Sequence, residues 1–439
     1  MHGKIKKRKR KNRRKVKFIR RYIVFVSKDH YNPLGIVRTL GEAHIKPIVV
    51  VVKGEPKLVS KSRYVKIKHF VDSPEDGLKL ILSKYAVSKT EKSFILTGDD
   101  VTVSLLDMHY NELKDYFYFY NAGENGRIRQ FMNKDVLNHL ALKHGFNVPR
   151  TWKVSPGEIP EDLEYPIITK ATHSFGAEWK NIVFICRNEE DLCEAFKKIK
   201  SEKILLQQYI EKTDEQSYEG FSVNHGKNVF FSVQNNEVYH LKDKYAPFWR
   251  NKNVHDKSFT AKASRMLAEI GFEGIFEFEF IVGADKKLYF LEINFRNTAN
   301  GWTTTVAGMP SATLWCASML EGKIVNGCYK EIPDGFTTMA ECFDYDVRVK
   351  TGRISRREWM KQYKKANAKL YRGRKDIRPF FSFLWYKYTK MRVEKKYGKG
   401  KGERIMELII ILFLGGWIFI GGYLSYRNIR KEYRGDETK

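Results

Sequence analysis

Cysteine is scarce in this chain: five in 439 residues, Cys186, Cys193, Cys316, Cys328 and Cys342, with no CxxC pair. That argues against a thiolate metal site or a disulfide framework, and it fits a reducing compartment with each thiol buried. No GxGxxG follows the first apolar strand, so a dinucleotide site has no support. No internal repeat is present, and the first apolar run, Tyr22 to Val26, is too short for a cleavable signal peptide. Acid is short relative to base: 51 Asp and Glu against 80 Lys and Arg, a formal charge of +29.

The basic excess is uneven. Lys4 to Arg21 holds thirteen Lys or Arg and no acid, and a second basic region runs from about Arg348 to Arg404. Residues 1–21 therefore read as a disordered tail. The charge points to a polyanionic partner, either anionic membrane lipid or nucleic acid. Aromatics do not interleave the tail's charges before Phe18, which weakens single-strand binding. The whole chain is 42% apolar with 29 Phe and 24 Tyr, enough for two or three cored domains.

The most informative stretch is Gly271 to Asn297. Phe276, Phe278 and Phe280 alternate with Glu277, Glu279 and Ile281. After the turn residues Gly283-Ala284-Asp285, Leu291, Ile293 and Phe295 alternate with Glu292, Asn294 and Arg296. A hairpin that shares its aromatic faces must also share its polar faces, because register parity fixes both. Three carboxylates, an amide and a guanidinium then gather on one side. Hard oxygen donors in that number suit Mg²⁺ bridging to phosphate, and the arginine suits a phosphoryl group.

Glu279 followed by Leu-Glu-Ile-Asn-Phe-Arg at 291–296 resembles the metal-binding end of the ATP-grasp ligases. That superfamily includes D-alanine–D-alanine ligase and the carbamoyl-phosphate synthase large subunit. The resemblance implies that Glu279, Glu292 and Asn294 hold Mg²⁺, or Mn²⁺ in its place, and that Arg296 faces the transferred phosphate. Glu277 lies one pleat away, in support. The fold expected is α/β: a Rossmann-like domain at 22–125, then an ATP-grasp fold of two α+β subdomains at 126–350.

Within 22–125, strands are expected at Tyr22–Val26, Pro47–Val52, Val65–Ile67 and Ser93–Thr97, with helices at 32–43, 76–85 and 101–114. Asn32 to Gly41 resembles the domain that lines the acceptor site in carboxylate–amine ligases. Asp99 and Asp100 are candidate substrate contacts, with a helix N-cap as the other reading of Asp100. In the next segment a helix spans Val136 to His144, and Tyr165–Lys170 ends a strand in a lysine. The loop Ala171–Ala177 can offer N–H groups and hydroxyls to phosphate. The resemblance places Lys134, Lys170, Ser174, Gly176, Gln207, Gln208, Ile210, Glu215 or Asp214, and Lys244 or Lys242 around ATP. Lys170 also acts catalytically beside Arg296. His173 reads as a loop hydrogen-bonder. Asn297 to Gly308 is read as a substrate loop with Asn300 and Trp302 as contacts, and Phe336–Phe343 as a last strand.

The end of the chain differs in kind. Leu408 to Tyr426 carries no charge, and 405–426 is long enough to span about 30 Å of hydrocarbon. Eight Lys or Arg lie from Lys387 to Arg404, and five follow the run, four of them at Arg427, Arg430, Lys431 and Arg434. The heavier side is expected to be cytoplasmic, leaving 427–439 as a short tail. The basic, aromatic residues 351–404 read as a juxtamembrane region. Together these describe an ATP-dependent ligase anchored in the cell membrane, with its catalytic part in the cytoplasm. It would join a small carboxylate to an amine, the nearest analogy being the D-aspartate ligases of cell-envelope assembly. A homodimer is compatible with the resemblance. The competing readings are a non-catalytic nucleotide-binding module and a nucleic-acid-binding protein.

Overall fold

The computed structural model describes residues 20–172, 182–241 and 245–396. Strands β1 (Tyr22–Val26), β2 (Ile48–Val52), β3 (Ile67–Val71), β4 (Ser93–Thr97) and β5 (Phe117–Tyr118) form a parallel sheet ordered β3-β2-β1-β4-β5. Its central strands are near-continuous apolar runs because helices cover both faces. The helix Tyr31–Glu42 turns Leu34, Val37 and Leu40 inward. The third strand lies two residues beyond the expected Val65–Ile67.

The helix Asp100–Met108 is capped by Asp99, which accepts the Thr102 N–H at 2.9 Å. Asp99, not Asp100, is thus the N-cap. Its other oxygen accepts the Ser27 N–H at 3.0 Å, so its role is structural.

Strands β6 (Thr151–Val154), β7 (Ile167–Ala171), β8 (Ile185–Cys186) and β9 (Ile204–Gln208) make an antiparallel sheet ordered β6-β9-β7-β8. The helix Glu189–Lys198 packs Leu192 and Ala195 into this sheet's own core.

The third sheet comprises β10 (Lys212–Val223), β11 (Asn228–Glu237), β12 (Phe248–Lys252), β13 (Gly274–Gly283), β14 (Leu288–Asn294), β15 (Thr337–Met339) and β16 (Ala368–Lys369). The order is β14-β13-β10-β11-β12-β15-β16. Phe276, Phe278, Phe280 and Phe290 are buried beneath it with Phe259 of the helix Lys257–Ile270. Each such ring contributes roughly 1.5–3 kcal/mol through burial. The helix stops at Gly271, whose φ of 79° is the left-handed conformation glycine adopts without strain.

Three expectations change. Asn297 to Gly308 is not a loop: Asn300–Val306 is helical, with the Thr304 and Thr305 hydroxyls donating back to the Gly301 carbonyl. The strand expected at Phe336–Phe343 stops at Met339, and Glu341–Arg348 is a helix. Glu341 is held there by the N–H groups of Tyr371 and Arg372. Residues 351–396 are part of the folded body. They supply β16 and the helices Arg356–Lys365 and Arg378–Lys396. Asp376 is buried against Arg38 at 3.2 Å and accepts from Ser62 and Arg63, tying this segment to the first domain.

Among the described residues no helix is long and apolar enough to cross a membrane. The run 405–426, the tail 427–439 and residues 1–19 lie outside the described residues.

Candidate active site

Strands β13 and β14 are antiparallel, with Glu279 opposite Glu292 and Glu277 opposite Asn294. The register slips between these pairs and the next, where Phe280 faces Phe290, so Leu291 is an extra residue. The bulge corrects one expectation. Phe290 takes the core position, while Leu291 turns to line the cleft. It also lets Glu292 meet Glu279 while both aromatic faces stay buried.

The polar face is tightly wired. The Asn294 Nδ2 donates to Glu279 Oε1 at 2.7 Å and, at 3.4 Å, to Glu277 Oε2. Glu277 also accepts from Ser217 at 2.9 Å and Asn300 at 3.0 Å, which fixes it as a support. Arg296 donates twice to Asp100, at 2.7 and 3.1 Å, and to Asn294 Oδ1 at 2.8 Å. Bidentate pairing sets the plane of the guanidinium. Burial opposes the Arg296 charge, but Asp100 and then Glu277 and Glu279 outweigh it and raise its pKa.

Across the cleft stands the second sheet. Lys170, at the end of β7, donates to Gln207 Oε1 at 2.6 Å, and Gln207 in turn donates to Thr151 at 2.8 Å. Lys134 begins the helix Lys134–Lys143 and reaches Glu292 at 3.7 Å. Desolvation, and then the neighbouring Lys134 charge, lower the Lys170 pKa to about 7, with Glu292 opposing. Burial, then Glu292, Glu277 and Glu215, push Glu279 well above the usual carboxylate range. In both shifts desolvation is the larger cause and like-charged neighbours the next.

A cavity of about 310 Å³ lies beside these groups. Glu215, Ser217, Glu277, Glu279, Asn294, Arg296 and Asn300 form one wall, and Tyr31 and Asn32 of the first domain another. Tyr245 and Trp249 close it, with the Tyr31 and Tyr245 hydroxyls 3.3 Å apart.

The other expected residues divide. Glu215 lines the cavity and accepts from Lys212 at 2.7 Å. Asp214 is engaged elsewhere, by Asn236 at 2.9 Å and the Glu237 N–H. Gln207 is buried and positions Lys170, whereas Gln208 is exposed at the sheet end, where it meets the Arg150 N–H. Ile210 sits in the crossing to the third sheet, beside Gly283. Asn300 lines the cavity; Trp302 does not, lying instead beneath Arg38, whose guanidinium is 5.6 Å from the ring centre. His173, Ser174, Gly176, Lys242 and Lys244 lie outside the described residues.

The donor chemistry fits Mg²⁺ on shared terms. Among the described residues no group of three or more His, Cys, Asp or Glu could hold a metal. Glu279, Glu292 and Asn294 offer two carboxylates and an amide oxygen. That suits a cation which keeps waters and completes its shell from substrate phosphate.

Two α+β units face one another across a cleft, one with lysines and the other with a carboxylate–amide–arginine hairpin. The profile of the carbamoyl-phosphate synthase L chain ATP-binding domain matches residues 141–316. N5-carboxyaminoimidazole ribonucleotide synthase of Staphylococcus aureus is 31% identical over 135 residues, 30% of this chain and 35% of the relative. The match thus spans about a third of the length of that curated relative. Among solved structures, L-amino acid ligase from Bacillus licheniformis aligns with a TM-score of 0.53 at 14% identity, over 70% of this chain and 77% of that one. Biotin carboxylase from Campylobacter jejuni gives 0.54 at 17%, over 70% and 72%. N5-carboxyaminoimidazole synthetase from Staphylococcus aureus, complexed with ADP, gives 0.53 at 17%, over 72% and 81%. At those identities the structural matches speak for the fold. Over residues 141–316 the chain is similar to that ATP-binding domain, and in fold it is similar to these solved structures.

Proposed function

We propose that the protein is an ADP-forming carboxylate–amine ligase that uses ATP with Mg²⁺. The observation that carries this reading is the hairpin register: it sets Glu279, Glu292 and Asn294 together, with Lys134 and Lys170 facing them. In the reaction, a substrate carboxylate oxygen attacks the γ-phosphorus of ATP, the bond to the β-phosphate oxygen breaks, and ADP leaves. The amine then attacks the acyl carbon and phosphate departs, with loss of one amine proton. Bound Mg²⁺ would draw charge from the phosphate chain. Lys170 supplies positive charge from the β7 side, and Gln207 holds its ammonium in place. Arg296, with its plane set by Asp100, offers charge to the transferring phosphoryl group. The protein forms no bond itself; it holds two reactants in line.

The partners are a small carboxylate and an amine. The run 405–426 supports a tether in the cell membrane with the catalytic part cytoplasmic, and an amine on a cell-envelope precursor is the acceptor such a tether favours. The test is trapping. Full-length protein in detergent, given ATP, Mg²⁺ and hydroxylamine, is screened against amino acids and other small acids. Hydroxamate formed from one acid class, with matching ADP, supports the reading. ATP turnover indifferent to every acid contradicts it.

A further inference from the structure

The helix Arg356–Lys365 has two faces. Its inner face is fixed: Trp359 is buried, donates its indole N–H to Asp344 at 2.7 Å, and stacks on Tyr363 at 5.0 Å. Ser355 caps the start, accepting the Glu358 N–H at 3.1 Å. With this rotation set, Arg357, Lys361 and Lys364 fall on one outward stripe at helical spacing, flanked by Arg356 and Lys365. All five are exposed. The helix has one acid, Glu358, which lies 3.7 Å from Lys361.

We infer that this stripe is a docking surface for the anionic headgroups of a lipid bilayer. Charge is the first argument: five cations meet one acid on a rigid, solvent-facing element. Continuity is the second. The same segment leads through the helix Arg378–Lys396 to the run 405–426, uncharged from Leu408 to Tyr426, whose length suits a bilayer span. The third argument separates lipid from nucleic acid. The aromatic rings of this helix point inward, so the stripe has no stacking platform for bases, whereas headgroups require charge alone. The body would then lie against the membrane on this face, with its catalytic cleft held at a set attitude to the surface. The inference rests on the proposed tether and is independent of the ligase chemistry.

The test uses full-length protein in lipid nanodiscs of phosphatidylcholine, with or without phosphatidylserine. Lysine acetylation is followed by mass spectrometry at Lys361 and Lys364, with Lys286 at the hairpin turn as reference. Slower labelling of Lys361 and Lys364 in the anionic discs alone, reversed by salt, supports the surface. In soluble competition, vesicles containing phosphatidylserine should bind the combined variant Arg357→Gln, Lys361→Gln, Lys364→Gln about a hundredfold more weakly, on the order of fivefold per charge. Equal labelling in both discs overturns the proposal. So does protection by added oligouridylate in neutral discs, which would make the stripe a nucleic-acid site. A chain that enters neither disc removes the tether and the surface together.

Discussion

Lys170 is where residue-scale chemistry is most exposed to test. Its pKa is lowered to about 7 by desolvation and then by Lys134. The charged form is therefore penalised in the free protein. That cost is fully present below about pH 7 and is relieved as pH rises towards the ordinary lysine value, so this group makes the fold more stable with rising pH. Nucleotide phosphate reverses the preference by favouring the ammonium. At about pH 8, ATP binding should draw a proton from solution, seen as a dependence of the calorimetric heat on buffer ionisation enthalpy. Lys170→Met should abolish that dependence; a wild-type heat that ignores the buffer would refute the role. A second prediction concerns Arg296. Asp100→Ala removes its bidentate partner. Turnover should fall about tenfold or more, in keeping with the loss of an oriented charge. Normal turnover would show that the guanidinium finds its plane unaided. Asp100 stands among the candidate substrate contacts, but nothing along the chain links it to an arginine 196 residues away. Such pairings are set by tertiary approach.

At the scale of elements, the polar hairpin was legible because alternation carries its own register rule. Its bulge was not. A strand with one extra residue still alternates on each side of the slip, and Leu291 passes for a core residue in either phase. Because Leu291 is the extra residue, deleting it leaves Phe290 opposite Phe280 and Glu292 opposite Glu279, so the deletion should stay soluble and bind nucleotide. An insoluble deletion would mean that the bulge itself is required. Gly220 is a sensitive point, because a Cβ there would sit 2.1 Å from the Phe230 carbonyl oxygen. Strands β6 and β12 and the helix Glu189–Lys198 leave little trace in the sequence because their apolar positions are few. The helix Asn300–Val306 reads as loop in the sequence because it is rich in threonine and glycine, and its threonine hydroxyls find carbonyl partners only in the fold.

At the scale of the whole molecule, the parallel first domain and the two grasping units were legible from strand–helix alternation and motif order. The limit of the folded body was not. Basic, aromatic composition makes 351–404 read as a juxtamembrane region, yet Asp376 buries its carboxylate against Arg38, with each side chain about 1–2% exposed. Asp376→Ala leaves that guanidinium buried without its partner and should cost about 3–5 kcal/mol, measured by denaturant unfolding. A change within experimental error would mean that the last helices are a detachable appendage. The same contact joins the segment leading to the proposed membrane run to the helix Tyr31–Glu42, whose first turn lines the cavity.

The central claim is that Glu279, Glu292 and Asn294 together hold a divalent cation for ATP. Its most direct measurement is Mn²⁺ electron paramagnetic resonance on the purified full-length chain with ATP, repeated on Glu279→Gln and Glu292→Gln. The account predicts a protein-bound Mn²⁺–ATP signal in the wild type, and at least a tenfold weaker affinity in each variant. Equal signal and affinity in all three proteins would contradict it.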